Sequence, residues 1–218
     1  QRGFVQALAV IPKPRSAQTP TQPGSTLACG ATNGKVRLWD HHRGKQLRAW
    51  EAHALAVTAV AFTSSKGSGL LVTGGAGFIG SHTCVMLMEQ GYRLVVLDNF
   101  DNSCPEALRR AQELAGSSQL TLVKGDVRDP SSVDQAFHAA GAVDGVIHFA
   151  GLKAVSESVQ DPLRYWDVNV NGSRVLAAAM EAHGCRTLVF SSTSTSYGEP
   201  DTFPLQEDMP TAPVHPYA

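Results

Sequence analysis

A parallel sheet with helices on both faces is predicted for residues 67–218 by three observations. Short apolar runs alternate with amphipathic ones from Leu70 onward, which is the pattern of an α/β chain. Gly74, Gly77 and Gly80 separate the first apolar run from the first amphipathic one. The second apolar run, Arg93-Leu94-Val95-Val96-Leu97, closes on Asp98, at about the 20-residue spacing where an acid meets a ribose.

The first strand is expected at about 70–74. Apolar residues return seven positions after Phe78, at Val85 and Met86, which is helical periodicity. Strand, glycine turn and helix together present unpaired backbone N–H groups to an anion. Gly74 permits the tight turn, Gly77 lets a pyrophosphate approach the backbone, and Gly80 lets the helix pack on the strand. The second strand is 93–98, and its Asp98 accepts from ribose hydroxyls but repels a ribose phosphate, so NAD is expected over NADP. A helix follows over Pro105 to Leu114, with Ser103 as a cap near its start. Leu120 to Val123 is the third strand, leading into Gly125-Asp126. Ser131 to Ala140 is the next helix, and Val146 to Gly151 is a strand apolar enough for burial on both faces. A long helix fits Pro162 to Ala182, since proline is tolerated in a first turn. Thr187 to Phe190 is the fifth strand. Ligands in such sheets sit beyond the carboxyl ends of the strands. Those ends carry Gly74–Gly80, Asp98, Asp126, Phe149–Lys153 and Ser191–Thr193. The expectation is a Rossmann-type domain holding NAD there.

Residues 1–66 read differently. Val5-Gln6-Ala7-Leu8-Ala9-Val10 and Val57-Thr58-Ala59-Val60-Ala61-Phe62 share one pattern, and between them Asn33-Gly34 separates two alternating apolar runs. Asn-Gly in that setting is a hairpin signal, because both central turn positions need positive φ. Leu38-Trp39-Asp40, Gln46 to Trp50 and His53 resemble one WD-repeat propeller blade. The Pro- and Thr-rich stretch from Pro12 to Gly24 would be an insertion that, once removed, leaves a repeat of about 40–45 residues. A lone blade cannot bury both its faces, so the segment is expected to be a small antiparallel appendage, with a protein partner as its functional reading. Adjacent His41-His42 reads as solvated. Thr63 to Gly69 has linker composition, which puts the domain boundary at residue 66.

Nothing in the net charge of −1 suggests a nucleic-acid surface, and no basic run is present. Cys29, Cys84, Cys104 and Cys185 form no C-x-x-C pair, which argues against a thiolate zinc site or a disulfide framework. No metal is expected, and a cytoplasmic location is the default. No apolar run approaches membrane-spanning length.

The chain from Leu71 to Tyr217 carries VTGGAGFIGSHTCV from Val72, LDNFDNS from Leu97, KGDVRD from Lys124, HFAGLKAVSESV from His148 and FSSTSTSYGEP from Phe190. These motifs resemble the extended short-chain dehydrogenase/reductase family and, within it, the nucleotide-sugar 4-epimerases. The resemblance implies hydride transfer at a sugar's fourth carbon through NAD, with UDP-glucose and UDP-galactose as substrates and a homodimer as the assembly. It also implies site residues. Phe78 and Ile79 would lend backbone to the pyrophosphate, and Asp98, Asn99, Asn102 and Ser103 would hold the adenosine ribose. Asp126 and Val127 would flank the adenine, while Phe149, Ala150, Gly151 and Lys153 would line the nicotinamide side. Asn169 matches a family asparagine on the long helix. Thr193 would hydrogen-bond the reacting hydroxyl, and Tyr217 would be the base. Blander readings stand beside these: Asp126 as a turn cap, Lys153 as a solvated loop lysine, His148 as a satisfied core histidine, Tyr197 as packing.

Thr193 is followed by Ser194-Thr195 rather than by an acid, which puts a dehydratase second. The family's Y-x-x-x-K is not completed after Tyr217, so these 218 residues by themselves are not expected to turn over at a useful rate. Two readings remain: an epimerase, or a non-catalytic NAD-binding scaffold.

Overall fold

The computed structural model describes residues 7–12, 25–30, 35–40 and 45–51 as strand backbone, together with residues 69–200, 202–206 and 208–218. The sequence features at 13–24, Asn33-Gly34, His41-His42, His53, Val57–Phe62 and Thr63–Ser68 lie outside the described residues. The chain divides into two compact units, Ser64–Cys185 with Tyr217, and Gln1–Thr63 with Arg186–Pro216 and Ala218.

In the unit containing residues 1–63, β1 (Ala7–Pro12), β2 (Ser25–Gly30), β3 (Lys35–Asp40) and β4 (Lys45–Glu51) pair antiparallel in succession. The β2–β3 register sets Gly30 opposite Val36 and Thr26 opposite Asp40. Their antiparallel pairing follows the alternating apolar runs on either side of Asn33-Gly34. β9 (Leu188–Ser191) is the fifth strand expected of the α/β half, and it pairs antiparallel with β1 through Leu8 opposite Phe190.

The other unit is a parallel sheet with helices. β5 (Gly69–Thr73) lies between β6 (Arg93–Asp98) and β8 (Val143–His148), and β7 (Leu120–Lys124) pairs with β6. The chain therefore runs outward from β5 to β7 and then returns to the other side of β5. That reversal makes the carboxyl ends of β5 and β8 the switch point where ligands bind in such sheets. Leu70, Leu71 and Val72 of β5 and Leu94 to Leu97 of β6 are buried. Each contributes roughly 1.5–3 kcal/mol relative to exposure, which is why these strands read as continuous apolar runs. At the sheet's edge β7 keeps Thr121 and Leu122 exposed.

α1 (Phe78–Glu89) packs with α2 (Pro105–Ala115), and α3 (Pro130–Ala140) packs with α6 (Gly172–Ala182), while α1 and α3 each lie against β5 and β6. The helical periodicity identified α1, but its buried face is Gly80, Cys84, Leu87 and Met88. Met86 is 55% exposed and Phe78 is 77% exposed, so the stripe is displaced from the one the sequence suggested. Burial pushes the Cys84 thiol up to about 12, and it packs as a small apolar group.

The long helix at Pro162 to Ala182 is realised in three parts. α5 (Pro162–Tyr165) passes into a π-helical turn, Trp166–Asn171, and then into α6. A short α4 (Val155–Gln160) precedes them; six residues are too few for periodicity to reveal. Ser103 does not cap α2. The cap position is Cys104, and the Ser103 hydroxyl goes to Asp98 instead. Among the described residues, no helix is long and apolar enough to cross a membrane.

Candidate functional site

The glycine loop closes on its neighbours at van der Waals limits. Gly74 has φ +68°, and a Cβ there would stand 2.6 Å from the Ala150 nitrogen at the end of β8. Its N–H donates to the Leu97 carbonyl at 2.9 Å, tying the loop to β6. A Cβ on Gly80 would stand 2.3 Å from the Gly74 oxygen and 2.7 Å from Gly75 Cα. Gly77 differs, since its Cβ would meet only the Gly74 oxygen, at 3.3 Å. Gly77 is the N-cap of α1, with no side chain capping it and no acid in the first turn. Phe78 and Ile79 are exposed there. The positive end of the helix is thus left to a ligand at the carboxyl end of the sheet.

Asp98 ends β6 and is 7% exposed. Its Oδ2 accepts from Ala76 N–H at 2.9 Å, and its Oδ1 accepts from Phe100 N–H at 2.9 Å and from the Ser103 hydroxyl at 2.8 Å. The second of these bonds holds Phe100 at φ +61°, a backbone region uncommon for a bulky residue. A carboxylate offers about four acceptor positions, so one remains after these three. A ribose diol needs two, which it gains by sharing or by displacing the Ser103 hydroxyl.

The next loop adds a second acid. Asp126 accepts from Asn99 Nδ2 at 3.0 Å and from Arg128 through Nε at 2.9 Å and Nη2 at 2.8 Å. The Arg128 guanidinium holds the Asp126 carboxyl well below the usual carboxylate range. Arg128 also reaches Asp167 at 2.8 Å, fastening this loop to the π-helical turn. Val127 is buried, with its side chain over Gly172, where a Cβ would meet Val127 Cγ1 at 2.7 Å. Asn102 is exposed.

At the end of β8, Phe149 and Ala150 are half-buried, while Gly151 and Lys153 are exposed. Asn169 clamps this segment: its Oδ1 accepts from Leu152 N–H at 2.8 Å and its Nδ2 donates to the Leu152 carbonyl at 2.9 Å. Asn169 sits in the π-helical turn, the kind of local distortion that recurs at functional sites.

His148 is buried with both ring nitrogens bonded, in keeping with a core histidine. The Ser173 hydroxyl donates to the Asn169 carbonyl at 2.6 Å, so its oxygen accepts from His148 Nε2–H at 2.9 Å. His148 Nδ1 then accepts from the Thr73 hydroxyl at 2.6 Å. Burial pushes this imidazole down to about 4, against about 6.5 in an unfolded chain. Between those values the unfolded state binds more protons. Stability is therefore full above about pH 6.5 and declines as pH falls toward 4. The expected loss is on the order of 3 kcal/mol, and His148→Gln should remove that share of the pH dependence. Urea melts across this window check it; parallel declines in parent and variant would contradict the assignment.

Thr193 and Tyr217 fall in different units. Thr193 caps a 3-10 turn, Ser194–Tyr197, accepting from Thr195 N–H at 3.2 Å. Tyr217 sets its ring edge-on to Tyr165, with centroids 6.4 Å apart. Tyr165 is 1% exposed, and its hydroxyl donates to Glu157 at 2.7 Å and accepts from Ala154 N–H at 2.9 Å.

The structure thus brings the residues from Gly74 to Gly80, Asp98 to Ser103, Asp126, Phe149 to Lys153 and Asn169 to the carboxyl end of one parallel sheet. Sequence reasoning missed Ala76, Arg128, Asp167, Thr73 and Ser173. Arg128 stands two residues after Asp126, the one signal that could have shown it. The others had none, because their roles arise from partners far along the chain.

This arrangement defines a Rossmann-type domain. The profile of the NAD dependent epimerase/dehydratase family matches residues 70–218, and the chain belongs to that family. A UDP-glucose 4-epimerase of Bacillus subtilis (strain 168) is 51% identical over 148 residues, covering 68% of this chain and 43% of the relative. UDP-glucose 4-epimerase 1 of Oryza sativa subsp. japonica is 51% identical over 150 residues, covering 68% of this chain and 42% of the relative. A crystal structure of the Bifidobacterium longum UDP-glucose 4-epimerase, in complex with NAD+ and UDP, superposes with TM-score 0.66 at 42% identity. It covers 69% of this chain and 44% of that one. The chain spans less than half the length of the curated relatives cited here.

Proposed function

We propose that these residues carry the NAD-binding half of a UDP-glucose 4-epimerase, an isomerase interconverting UDP-glucose and UDP-galactose. The observation that carries this reading is the bare N-terminus of α1 beside Asp98, with the end of β8 packed against the same glycine loop. The residues fit the cofactor, since Gly77 leaves the loop open where a pyrophosphate must approach. The identity to the Bacillus subtilis and rice enzymes supports the particular reaction.

In this reading, backbone N–H groups of Phe78 and Ile79 with Gly74, Gly77 and Gly80 hold the pyrophosphate. Asp98, Asn99, Asn102 and Ser103 hold the ribose, and Asp126 and Val127 border the adenine. Phe149, Ala150, Gly151 and Lys153 line the nicotinamide side, with Asn169 fixing their loop. When bound, NAD supplies the hydride acceptor and donor for the sugar's fourth carbon. Thr193 orients the reacting hydroxyl, and Tyr217 holds the proton that leaves it. A phenol is a poor base near pH 7, so Tyr217 acts only where positive charge lies close.

Residues 1–66 are proposed as a WD-repeat-like appendage, for which a protein partner is the functional reading, and 67–218 as the cofactor domain. The antiparallel order of β1 to β4, with Leu38-Trp39-Asp40 closing β3, supports that division. A cytoplasmic, homodimeric protein completes the reading.

The test is conversion of UDP-galactose to UDP-glucose by the protein carrying these residues. Tyr217→Phe should lower turnover by about 10²–10⁴-fold. Equal turnover in the variant, or inertness of the parent toward both sugars, would count against the assignment.

A further inference from the structure

The end of the sheet away from the glycine loop holds a second cluster of chemically able side chains. Asp134 and His138 stand one turn apart on α3, and His183 is the C-cap residue of α6. One donor atom from each lies within 4.8 Å of the others. Asp134 Oδ1 meets His183 Nε2 at 2.7 Å, and Asp134 Oδ2 meets His138 Nε2 at 3.2 Å. Helices in such a unit run back along the strands, so their C-terminal ends lie opposite the carboxyl ends of the sheet. His138 is in the last turn of α3, roughly 12 Å along the axis from Pro130 at 1.5 Å per residue.

We propose that Asp134, His138 and His183 form a binding site for a divalent transition-metal ion, Zn²⁺ in the first instance. Two imidazoles and one carboxylate are a ligand set that Zn²⁺ accepts with water as the fourth ligand. Imidazole donors suit zinc, copper and nickel, whereas Mg²⁺ and Ca²⁺ require oxygen. Ligand atoms about 2.0–2.1 Å from a tetrahedral zinc stand roughly 3.3–3.4 Å apart. The Asp134–His138 separation of 3.2 Å is already close to that. The two imidazoles face different oxygens of Asp134, so side-chain rotation, with each imidazole carrying its proton on Nδ1, brings one oxygen and both Nε2 atoms from within 4.8 Å to that spacing.

The cluster is organised in advance. His183 stacks on Phe137 with centroids 4.7 Å apart and ring planes 5° from parallel. Phe137 is itself a buried core residue, so the His183 ring is held over the face of α3. His138 meets His183 edge-on at 5.2 Å. Bound there, the ion fastens α3 to the end of α6. Its role is to clamp the fold, since the cluster is remote from Asp98 and the glycine loop.

Titration of the protein with Co²⁺ followed by visible absorption, then displacement by Zn²⁺, tests the site. Co²⁺ is the probe because its absorption bands report nitrogen ligation and low coordination number. The expected result is one saturable site, weakened tenfold or more by His138→Gln and by His183→Gln, and unchanged by His82→Gln on α1. Asp134→Asn, which keeps the size of the side chain, should weaken it as well. Thermal melts should show that Zn²⁺ raises the parent's transition temperature and leaves that of the His138→Gln, His183→Gln double variant unmoved. Cobalt spectra or zinc stabilisation identical in parent and double variant would overturn the proposal, as would an absence of saturable binding in the parent.

Discussion

Gly80→Ala is expected to abolish NAD+ binding and to destabilise the α/β unit by about 1–3 kcal/mol, the usual range for overpacking. The added methyl would begin 2.3 Å from the Gly74 oxygen and 2.7 Å from Gly75 Cα. Both obstacles are backbone, so no side chain can rotate away. The Gly74 side of the loop cannot yield, because Gly74 is in contact with Ala150 and bonded to Leu97. Relief has to come from lifting the first turn of α1 off β5, which moves the very N–H groups that would hold the pyrophosphate. Gly77→Ala provides the contrast. Its Cβ meets one atom at 3.3 Å, so folding should survive while cofactor affinity drops because the methyl occupies the approach to the backbone. Urea melts paired with NAD+ titrations check both. A Gly80→Ala protein with parental affinity would show that the third glycine does not set the loop's geometry.

Asp98→Asn should have the second largest effect, lowering stability by about 1.5–3 kcal/mol and reducing the preference for NAD+ over NADP+. The amide keeps one oxygen for Phe100 N–H and the Ser103 hydroxyl, and it then turns its NH2 toward Ala76 N–H, donor against donor. A hydrogen bond to a charged group contributes about 1.5–3 kcal/mol, and a buried donor left unpaired costs about 1–3 kcal/mol, two overlapping measures of the same loss. Because Ala76 lies inside the glycine loop, the loss spreads to the pyrophosphate side. Loss of the negative charge also removes the repulsion that disfavours a ribose phosphate. Measured melts and paired NAD+ and NADP+ titrations give the result; a variant as stable and as selective as the parent would refute the role assigned to this carboxylate.

What was legible in the sequence follows from the range of the forces involved. The strands β5 and β6 could be read because burial on both faces demands unbroken apolar runs, and Leu70 to Val72 and Leu94 to Leu97 supply them; β8 was read three residues late, at Val146 to Gly151, because its first residues, Val143-Asp144-Gly145, break the apolar run. Gly74, Gly80 and Asp98 were legible because close approach admits glycine alone at 74 and 80, and the spacing to the acid is set by one helix and one strand; Gly77 has room for a methyl within the fold, and its place in the motif comes from the ligand that would approach it. Ser103 was misread as a helix cap because a serine before Pro105 has two candidate partners, and only the fold shows that Asp98 takes it. The buried face of α1 was displaced because Phe78 and Met86 point away from β5 and β6, and an apolar residue on a helix does not name its own partner. The π-helical turn at Trp166–Asn171 had no sequence signal. It arises where Asn169 bonds to Leu152 and Asp167 to Arg128, contacts that join segments 17 and 39 residues apart. Arg128 shows the same limit, because its ion pair with Asp167 belongs to the packing of two loops.

We assign the NAD site to the carboxyl end of this parallel sheet. The most direct test is calorimetric titration of the protein with NAD+ and, separately, with NADP+. A single saturable NAD+ site at least tenfold tighter than that for NADP+ is expected, with no heat of binding in Gly80→Ala. Absence of saturable NAD+ binding by the folded parent, or equal affinity for the two dinucleotides, would contradict it.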